Sequence, residues 1–443
     1  MDWSKLPDIV AVGLLASAFA SVARRNHTRV SSIWLTGWLL IVLHFTALMF
    51  LPAPGFWGTA AGLIAIASLI WAGVLFMWAS VPYREETSSR WMLWLLLVSN
   101  TLYICILDEG GPPWLLTCAA ILLGTAPLML TLQALRRFSH PLRWMTVVLY
   151  FALGIYLLSV QRRPGNGPDL ALNGVLFTVY LACCFHFWYK DRRATTGAFI
   201  TICGFFAWSC VFLVSPLKDA YFPAIQIESE VWNLPKYVVA LGMILLLLEE
   251  QIEHNKHLAL HDVLTGLPNR RLFQDRLAVA LERARRTGTK AALLVLDLDR
   301  FKQVNDTLGH HVGDLLLQSV ARILNGRIRR SDTVARTGGD EFSVILEGPT
   351  NATEALHVGR SLQELLKEPM ELENRAVGTG ASFGVAIFPD DAADLEALCI
   401  AADQRMYENK RQTAVSEERH SKGKLPPSVP PKPKGETRIM IQL

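Results

Sequence analysis

Residues 336–346 read RTGGDEFSVIL, and this stretch decides how the C-terminal part of the chain is organised. Val334 on one side and Phe342, Val344 and Leu346 on the other recur at every second position, which predicts two strands joined across Gly338–Gly339. A glycine pair supplies the positive backbone angles of a tight hairpin. It also leaves the backbone bare, so that a bulky group can approach it.

Asp340 and Glu341 follow the two glycines directly, and adjacent carboxylates repel each other unless a cation lies near them. Upstream, residues 291–299 (AALLVLDLD) have the pattern of a buried strand that ends in Asp297 and Asp299. Such a strand end is a common divalent-cation site, although a solvated strand end is an equal alternative on this pattern alone. If the hairpin lies beside this strand, the carboxylates surround one or two Mg²⁺ ions, which suits phosphoryl transfer.

Between these two acidic stretches, residues 300–314 (RFKQVNDTLGHHVGD) alternate turn-forming and polar residues. A helical pattern resumes in residues 315–324 (LLLQSVARIL). From about residue 255 the composition is that of an ordinary soluble domain.

The N-terminal part is apolar, and it explains why 51% of the 443 residues are hydrophobic. A helix that crosses a bilayer core of roughly 30 Å needs about 20 apolar residues. Candidate spans of that kind lie near residues 6–23, 33–52, 58–80, 91–107, 113–133, 144–160, 170–188, 196–215 and 232–250. Residues 1–250 are therefore predicted to form an all-α, multi-pass domain in the lipid bilayer, with sensing as its expected role.

The basic residues between the spans predict the orientation of the chain. With the N-terminus outside, the cytoplasmic loops hold Arg24, Arg25, Arg29, Arg84, Arg90, Arg136, Arg137, Arg143, Lys190, Arg192 and Arg193. The outer segments hold fewer, and the Arg162–Arg163 pair is the one loop that disagrees. The C-terminal part is then cytoplasmic. The small formal charge of +4 reflects these short loops and indicates no nucleic-acid partner.

Few polar residues lie within the spans, and His44, Asn100 and His186 are the ones well inside. Intramembrane polar groups are functional candidates by default, although a hydrogen bond between helices is the simpler role for each. After the last span, Leu245, Leu248, Ile252, Asn255 and Ala259 follow the spacing of a coiled-coil seam. Residues 245–262 are therefore predicted to be a signalling helix, with a plain surface helix as the alternative.

Five motifs in the C-terminal part occur in a distinctive order: DVLTGLPNRR (262–271), LDLDRFKQVNDTLGHHVGD (296–314), RTGGDEF (336–342), ASFGVAI (381–387) and ADQRMYENK (402–410). In this order and spacing, residues 255–413 resemble the GGDEF family, the bacterial diguanylate cyclases that make cyclic di-GMP from two GTP molecules. The resemblance implies a palm-like α/β domain with a central, mainly antiparallel sheet flanked by helices. Together with the predicted spans, it implies a location in the bacterial inner membrane.

The resemblance assigns roles to individual residues. It implies that Asp297, the Leu298 carbonyl and Asp340 bind Mg²⁺ or Mn²⁺, with Asp340 also the base and Glu341 an auxiliary catalytic carboxylate. Lys302 and Lys410 match lysines that meet phosphates. The remaining positions implied to contact substrate are Asn305, His310, Asp314, Gly338 and Gly339.

Guanine presents an N1–H and an amine as donors, so a carboxylate such as Asp314 accepts them well. Arg329 and Asp332, in RxxD spacing, match the family's inhibitory site for cyclic di-GMP. For these two residues a surface ion pair is the alternative, and for Asn305 or His310 the alternative is the cap of a turn. The chain departs from the family after Lys410, where RQTAV replaces a Gly-Arg-Asn segment and Arg411 is the candidate substitute. Residues 414–443, rich in Pro and Lys, are predicted to be a disordered tail.

One such domain holds half an active site, so the resemblance implies a homodimer in which two GTP molecules meet head to tail. Two other functions stay open on the sequence. The first is a receptor that binds cyclic di-GMP through Arg329 and Asp332 without turnover, which the complete signature disfavours. The second is a transporter with a regulatory domain, which the scarcity of intramembrane charges disfavours.

Overall fold

A computed structural model describes residues 1–26, 29–80, 87–134, 141–161, 163, 165–190, 195–348, 351–373 and 375–422. The chain divides into two compact units, Met1–Glu253 and His254–Leu443. Each unit has a hydrophobic core of its own.

The described residues of the N-terminal unit form helices joined by short turns and loops. After a short 3₁₀ turn at Trp3–Lys5, its helices are α1 (Leu6–Asn26), α2 (Arg29–Phe50), α3 (Phe56–Ala79), α4 (Thr87–Asp108), α5 (Pro113–Ala134), α6 (Pro141–Val160), α7 (Gly167–Lys190), α8 (Thr196–Tyr221) and α9 (Ser229–Leu260). The last helix, α9, is continuous and carries the chain from the apolar unit to the start of the second unit.

Each of the nine predicted spans overlaps one of these helices. Among the described residues, seven of these helices are long and apolar enough to cross a membrane by length and composition. The apolar stretches of α5 and α6, Pro113–Leu128 and Trp144–Val160, are shorter. The predicted all-α N-terminal domain is confirmed. Several arginines used for the orientation lie outside the described residues: Arg84, Arg136, Arg137, Arg192 and Arg193.

Buried polar side chains in this unit make hydrogen bonds within and between helices. His44 Nδ1 lies 2.7 Å from the Ala65 carbonyl of α3, and His186 Nε2 lies 3.4 Å from Thr146 Oγ1 of α6. Asn100 donates to a carbonyl of its own helix.

The structure also buries a polar group that the hydropathy pattern missed. Asn233 Nδ2 donates to Asp8 Oδ1 at 2.8 Å, and Lys236 Nζ donates to Asn233 Oδ1 at 2.5 Å. All three side chains are buried. Asp8 and Lys236 lie near the ends of their apolar runs, where hydropathy alone reads them as interfacial. The first helix and the helix that leaves the unit are thereby joined by a polar contact.

The C-terminal unit alternates helices and strands. In chain order they are α10 (Arg270–Thr287), β1 (Ala291–Asp299), α11 (Phe301–Leu308), α12 (His310–Arg327), β2 (Thr333–Arg336), β3 (Glu341–Glu347), α13 (Ala352–Lys367), β4 (Met370–Leu372), β5 (Arg375–Val377), β6 (Gly380–Phe388) and α14 (Leu395–Lys422). β4 and β5 form a separate small hairpin.

The main sheet has the strand order β2-β3-β1-β6, and every neighbouring pair is antiparallel. Leu294 and Leu296 of β1 face one side of the sheet, with the core formed by α12 and α13. Leu293 and Val295 face the other side, with the core formed by α10 and α14. The predicted α/β domain with a central antiparallel sheet flanked by helices is confirmed.

The stretch that alternates turn-forming and polar residues differs from its sequence pattern, because it is helical. It forms α11 and the start of α12, separated at Gly309, where φ is +87° and only glycine is comfortable. Packing of Phe301, Val304 and Leu308 against the core outweighs the weak intrinsic preference of the polar residues. At the other end, α14 continues to Lys422, into the stretch assigned to the tail, and residues 423–443 lie outside the described residues.

Candidate active site

The strand end and the glycine turn meet at one end of the sheet. Asp297 of β1 is the direct cross-strand partner of Glu341 of β3, so both side chains lie on the same face of the sheet. The Leu298 N–H donates to the Asp340 carbonyl at 3.2 Å, which fixes Asp340 beside the same strand end. Acidic residues from two distant motifs therefore come together, and Asp297 among them is buried.

The turn between β2 and β3 is built differently from the expected tight hairpin. The N–H groups of Thr337 and Gly338 both donate to the Glu341 carbonyl, at 3.0 and 3.4 Å. Neither Gly338 nor Gly339 has a positive φ, so the expectation that they supply positive backbone angles is wrong. The loop is longer than the two-residue turns that need such angles.

The two glycines differ in the space around them. A Cβ on Gly338 would lie 2.6 Å from Glu341 Oε2 and 3.1 Å from Glu341 Cβ, so a side chain there would require the Glu341 side chain to move. A Cβ on Gly339 would meet nothing within 4 Å. Gly338 thus serves the packing of the turn, whereas Gly339 presents open backbone to whatever approaches it.

Arg336 holds this turn in place. Its Nε and Nη2 donate to the Gly339 carbonyl at 3.1 and 2.7 Å, and its Nη1 donates to Asp262 Oδ1 at 2.9 Å. Burial opposes ionisation of Asp262, but hydrogen bonds from Thr265 and Arg336 outweigh it and lower the pKa of that carboxyl group. Two of the sequence motifs are therefore joined at the turn by a charged hydrogen bond, a positioning role that spacing along the chain does not reveal.

Lys410 of α14 lies against the predicted metal ligand. Its Nζ donates to Asp297 Oδ1 at 2.6 Å. Burial tends to lower the pKa of Lys410, but the hydrogen bond and the charge of Asp297 prevail and raise it. The lysine assigned to phosphate thus neutralises, in this structure, the carboxylate assigned to the metal.

Among the described residues, no ion pair or side-chain hydrogen bond neutralises the Glu341 carboxylate in this way. Its side chain lines a cavity of about 480 Å³ on the α10 and α14 side of the sheet, together with Arg270, Cys399 and Asp403. Burial raises the pKa of Glu341, and the charges of Asp297 and Asp403 raise it further, against the opposing effect of Arg270. Sequence reasoning missed Arg270 and Asp403, although both fall within quoted motifs, because their convergence requires α10 and α14 to pack on one face.

The residues assigned to the nucleotide lie on α11, which follows the acidic end of β1 directly, and on α12, which follows α11. Asn305 is half-buried and its Oδ1 lies against Gly313, where a Cβ would overlap it. Lys302, His310 and Asp314 are exposed. Among the described residues, no hydrogen bond or ion pair links these four side chains to the acidic cluster.

Arg329 and Asp332 lie at the opposite end of the sheet, before β2, where Thr333 pairs with Ile345. Asp332 Oδ1 accepts the N–H of Glu347 at 3.1 Å, and its Oδ2 accepts that of Arg329 at 3.3 Å. The Arg329 guanidinium is exposed and reaches Glu354 Oε1 at 3.3 Å. The pair borders a small cavity of about 70 Å³. Asp332 is thus a structural acceptor, while the arginine is accessible.

The acidic cluster supplies the donor type that Mg²⁺ prefers. Its donors are hard carboxylate and carbonyl oxygens from Asp297, Asp340 and Leu298, and Mg²⁺ typically takes one or two carboxylates and fills its shell with water and phosphate oxygens. Among the described residues, no group of three or more His, Cys, Asp or Glu side chains is arranged to hold a metal by itself. The donor chemistry therefore fits an ion that arrives with a phosphorylated ligand.

Comparison with known proteins gives matches in this part of the chain. Residues 259–415 match the family described as "Diguanylate cyclase, GGDEF domain". Over 155 residues the chain is 44% identical to the bifunctional diguanylate cyclase/cyclic di-GMP phosphodiesterase MucR of Pseudomonas aeruginosa, covering 35% of this chain and 22% of that protein. Over 161 residues it is 41% identical to the diguanylate cyclase TpbB of the same organism, covering 36% of this chain and 37% of TpbB.

A solved structure that comprises only the GGDEF domain of TpbB is also similar. It shares 41% sequence identity, covers 34% of this chain and 89% of that one, and has a TM-score of 0.34. This chain spans less than two fifths of the length of MucR or TpbB.

Proposed function

We propose that this chain, whose residues 259–415 form a GGDEF domain, is a membrane-bound diguanylate cyclase that converts two GTP molecules into cyclic di-GMP and two pyrophosphates. The observation that carries the proposal is the pairing of Asp297 with Glu341, with Asp340 beside them. The names of MucR and TpbB support it for the C-terminal unit. The long apolar helices of the first unit support the membrane.

The chemistry is a phosphoryl transfer at each of two α-phosphates. The 3′-hydroxyl oxygen of one GTP bonds to the α-phosphorus of the other, the bond from that phosphorus to the bridging oxygen breaks, and pyrophosphate leaves. The proton of the hydroxyl passes to a carboxylate, for which Asp340 is the candidate. A bound Mg²⁺ would neutralise charge on the phosphates. Asp297, Asp340 and the Leu298 carbonyl would hold it.

Recognition of the guanine base is assigned to α11 and α12. Asp314 offers a carboxylate to the N1–H and the amine of guanine, and Asn305 offers an amide. Lys302 and His310 are exposed on the same two helices, where a phosphate or a sugar can reach them. Lys410 is assigned a shared role, because an incoming phosphate competes with Asp297 for its ammonium group.

Two copies of the domain are needed for the reaction, so the proposed active form is a homodimer with two-fold symmetry. The helix α9 carries the predicted seam of Leu245, Leu248 and Ile252, which would align the two copies. The exposed Arg329, with Asp332, is proposed to bind cyclic di-GMP as an inhibitor. We place the N-terminus outside the inner membrane of a bacterium and the catalytic unit in the cytoplasm.

The test uses the full-length chain in lipid nanodiscs with GTP and Mg²⁺. The expected result is cyclic di-GMP and pyrophosphate from the native chain, and loss of both products in Asp340→Ala with cyclic di-GMP binding retained. Tight product binding by a native dimer that makes no cyclic di-GMP would instead favour the receptor function. Turnover that persists in Asp340→Ala would contradict the assignment of Asp340.

A further inference from the structure

The outer edge of β6 lies in a groove that the proposed catalysis does not use. The groove has a volume of about 520 Å³ and runs between α13 and α14. Its apolar lining includes Phe383, Val385 and Ile387 of β6 and Leu356 of α13. Leu356 is 41% exposed, so its side chain is accessible from the groove.

The register of the sheet shows which backbone groups face this groove. The backbone N–H of Leu298 donates toward β3. Because backbone groups point to opposite sides at alternate residues, those of Val295 and Asp297 form their hydrogen bonds with β6. Their partners on β6 are Gly384 and Ser382. The intervening residues of β6 therefore point their N–H and C=O groups away from the sheet, and these residues are Ala381, Phe383, Val385 and Ile387.

Side chains already pair with the two ends of this edge. Gln363 Nε2 donates to the Ala381 carbonyl at 2.7 Å, and Arg405 Nη1 donates to the Val385 carbonyl at 2.6 Å. At the far end, Asp391 accepts the Ile387 N–H and donates its own N–H to the Ile387 carbonyl. These contacts leave a short window between them.

Three polar groups occupy that window: the N–H and C=O of Phe383 and the N–H of Val385. Within the described residues they have no hydrogen-bond partner. Phe383 is only 8% exposed and Val385 only 4%. Buried backbone polar groups without a partner are rare, because each costs about 1–3 kcal/mol. The groove is apolar along β6 and at Leu356, and polar along α14, where Glu408, Asn409 and Gln412 line it. An edge of this kind is a template for an added strand.

We propose that residues 437–443 of the same chain, TRIMIQL, dock in this groove as an additional strand beside β6. The segment alternates Ile439, Ile441 and Leu443 with Met440 and Gln442, which is a strand pattern with one fully apolar face. That face meets Leu356 and the apolar lining, while its backbone pairs with Phe383 and Val385. The preceding residues, rich in Pro and Lys, serve as the connection.

The length of the connection allows this return. Gln412 of α14 lines the groove, and α14 ends at Lys422. Ten further residues of helix carry the chain about 15 Å away. Residues 423–436 can span up to about 50 Å when extended, so the segment reaches back to the groove of its own domain. Docking in this way does not depend on the proposed catalysis.

Two measurements on the full-length chain in detergent test the proposal. Amide hydrogen exchange at Phe383 and Val385 is compared between residues 1–443 and a chain that ends at residue 436. Exchange is expected to be at least about tenfold slower in the longer chain, because a paired amide must open first. The Gly384 amide, which bonds to β1, should be unchanged and serves as the internal control.

The second measurement adds the segment as a separate peptide. A fluorescent peptide of residues 435–443 is titrated onto the chain that ends at 436, where saturable binding is expected. Leu356→Lys should weaken it at least about tenfold, since a charge replaces the apolar contact. Val279→Lys is the matched control, because Val279 is 60% exposed on α10, on the other side of the sheet.

Three results would overturn the proposal. The first is equal exchange at Phe383 and Val385 in both chains, and the second is peptide binding that Leu356→Lys and Val279→Lys weaken alike. The third is protection that disappears on dilution, because the segment would then come from a second copy. None of these readouts requires GTP turnover, so failure here is distinguishable from failure of the proposed cyclase activity.

Discussion

The two ends of β3 carry acidic residues in opposite electrostatic settings. At one end, Glu347 pairs with Arg283, and its N–H is held by Asp332. At the other end, Glu341 faces the carboxylates of Asp297 and Asp403. Burial is the main cause that raises the pKa of Glu341, and the charges of these two carboxylates raise it further. The strand β3 therefore begins among carboxylates in excess and ends with a carboxylate that is paired with an arginine.

This difference in charge balance distinguishes the end of β3 that contributes to stability from the end that is suited to bind a cationic ligand. Matched pairs such as Arg283–Glu347 lie at the surface and add little stability, about 0–1 kcal/mol each. Carboxylates that outnumber the cations at one strand end are unfavourable by themselves, and they persist where a ligand cation offsets the excess charge. The acidic end of β3 is therefore the end at which chemistry is expected, and variants at the two ends should behave differently.

The largest expected effect is the loss of the buried carboxylate at the acidic end. Asp297→Asn should lower the rate of cyclic di-GMP formation by about 10²–10³-fold, because it removes a proposed metal ligand and the partner of Lys410. The rate is measured with GTP and Mg²⁺ on the full-length chain.

Glu347→Gln is the matched control at the other end of the strand. It removes one carboxylate from a surface pair, so the rate should stay within about twofold of the native value. Equal losses in the two variants would mean that the two ends do not differ in function.

A smaller effect is expected from the residue that fixes the glycine turn. Arg336→Lys cannot donate to both Gly339 and Asp262 in the same geometry, because an ammonium group lacks the planar fork of a guanidinium. The variant loses one charged hydrogen bond, which contributes roughly 1.5–3 kcal/mol to the stability of the turn. Amide exchange in the turn should therefore become faster, and the rate of cyclic di-GMP formation should fall. Arg283→Lys, at the matched end, should leave turnover unchanged, and a drop there of similar size would argue for a general loss of stability.

The two glycines of the turn should respond differently to the same added methyl group. Gly338→Ala forces the flexible Glu341 side chain away and should destabilise the turn by about 1 kcal/mol, the low end of the cost of overpacking. Gly339→Ala meets no atom of the protein, so amide exchange should be unchanged while the KM for GTP rises, if nucleotide approaches the bare backbone. An unchanged KM in Gly339→Ala would place the nucleotide elsewhere.

Much of this site could be predicted from the sequence, because its strands are short and strongly patterned. The alternation of Phe342, Val344 and Leu346 predicts β3, and the apolar run of residues 291–299 predicts β1; both strands are confirmed. The motif order predicts the family of the domain, which the match over residues 259–415 confirms. Local pattern and the order of motifs suffice where an element is defined by its own residues.

Other features depend on packing between distant elements, and local patterns do not contain them. The helical state of residues 301–308 results from Phe301 and Val304 reaching the core. The contact of Lys410 with Asp297 requires α14 to cross β1 on the side of α10. Position 338 favours glycine because the side chain of Glu341 lies close to it, and not because of its backbone angle.

The smallest expected effect tests the excess charge directly through pH. The pKa of Glu341 is raised above its ordinary value of 4.5, so its ionised form destabilises the folded state. The penalty is absent below that ordinary value and develops as pH rises through the raised folded value. Glu341→Gln should therefore match the native chain near pH 4 and be more stable at pH 8.

The increase in stability of Glu341→Gln at pH 8 should be below about 1 kcal/mol, since Glu341 is largely accessible to solvent. Amide exchange of Val344 in the full-length chain reports it as the free energy of opening of β3. Glu347→Gln should change that free energy in the opposite direction at pH 8, because it breaks the pair with Arg283. A loss of stability in both variants at pH 8 would show that the charge of Glu341 is neutralised by its surroundings, as that of Glu347 is. The proposed electrostatic difference between the two ends of β3 would then be wrong.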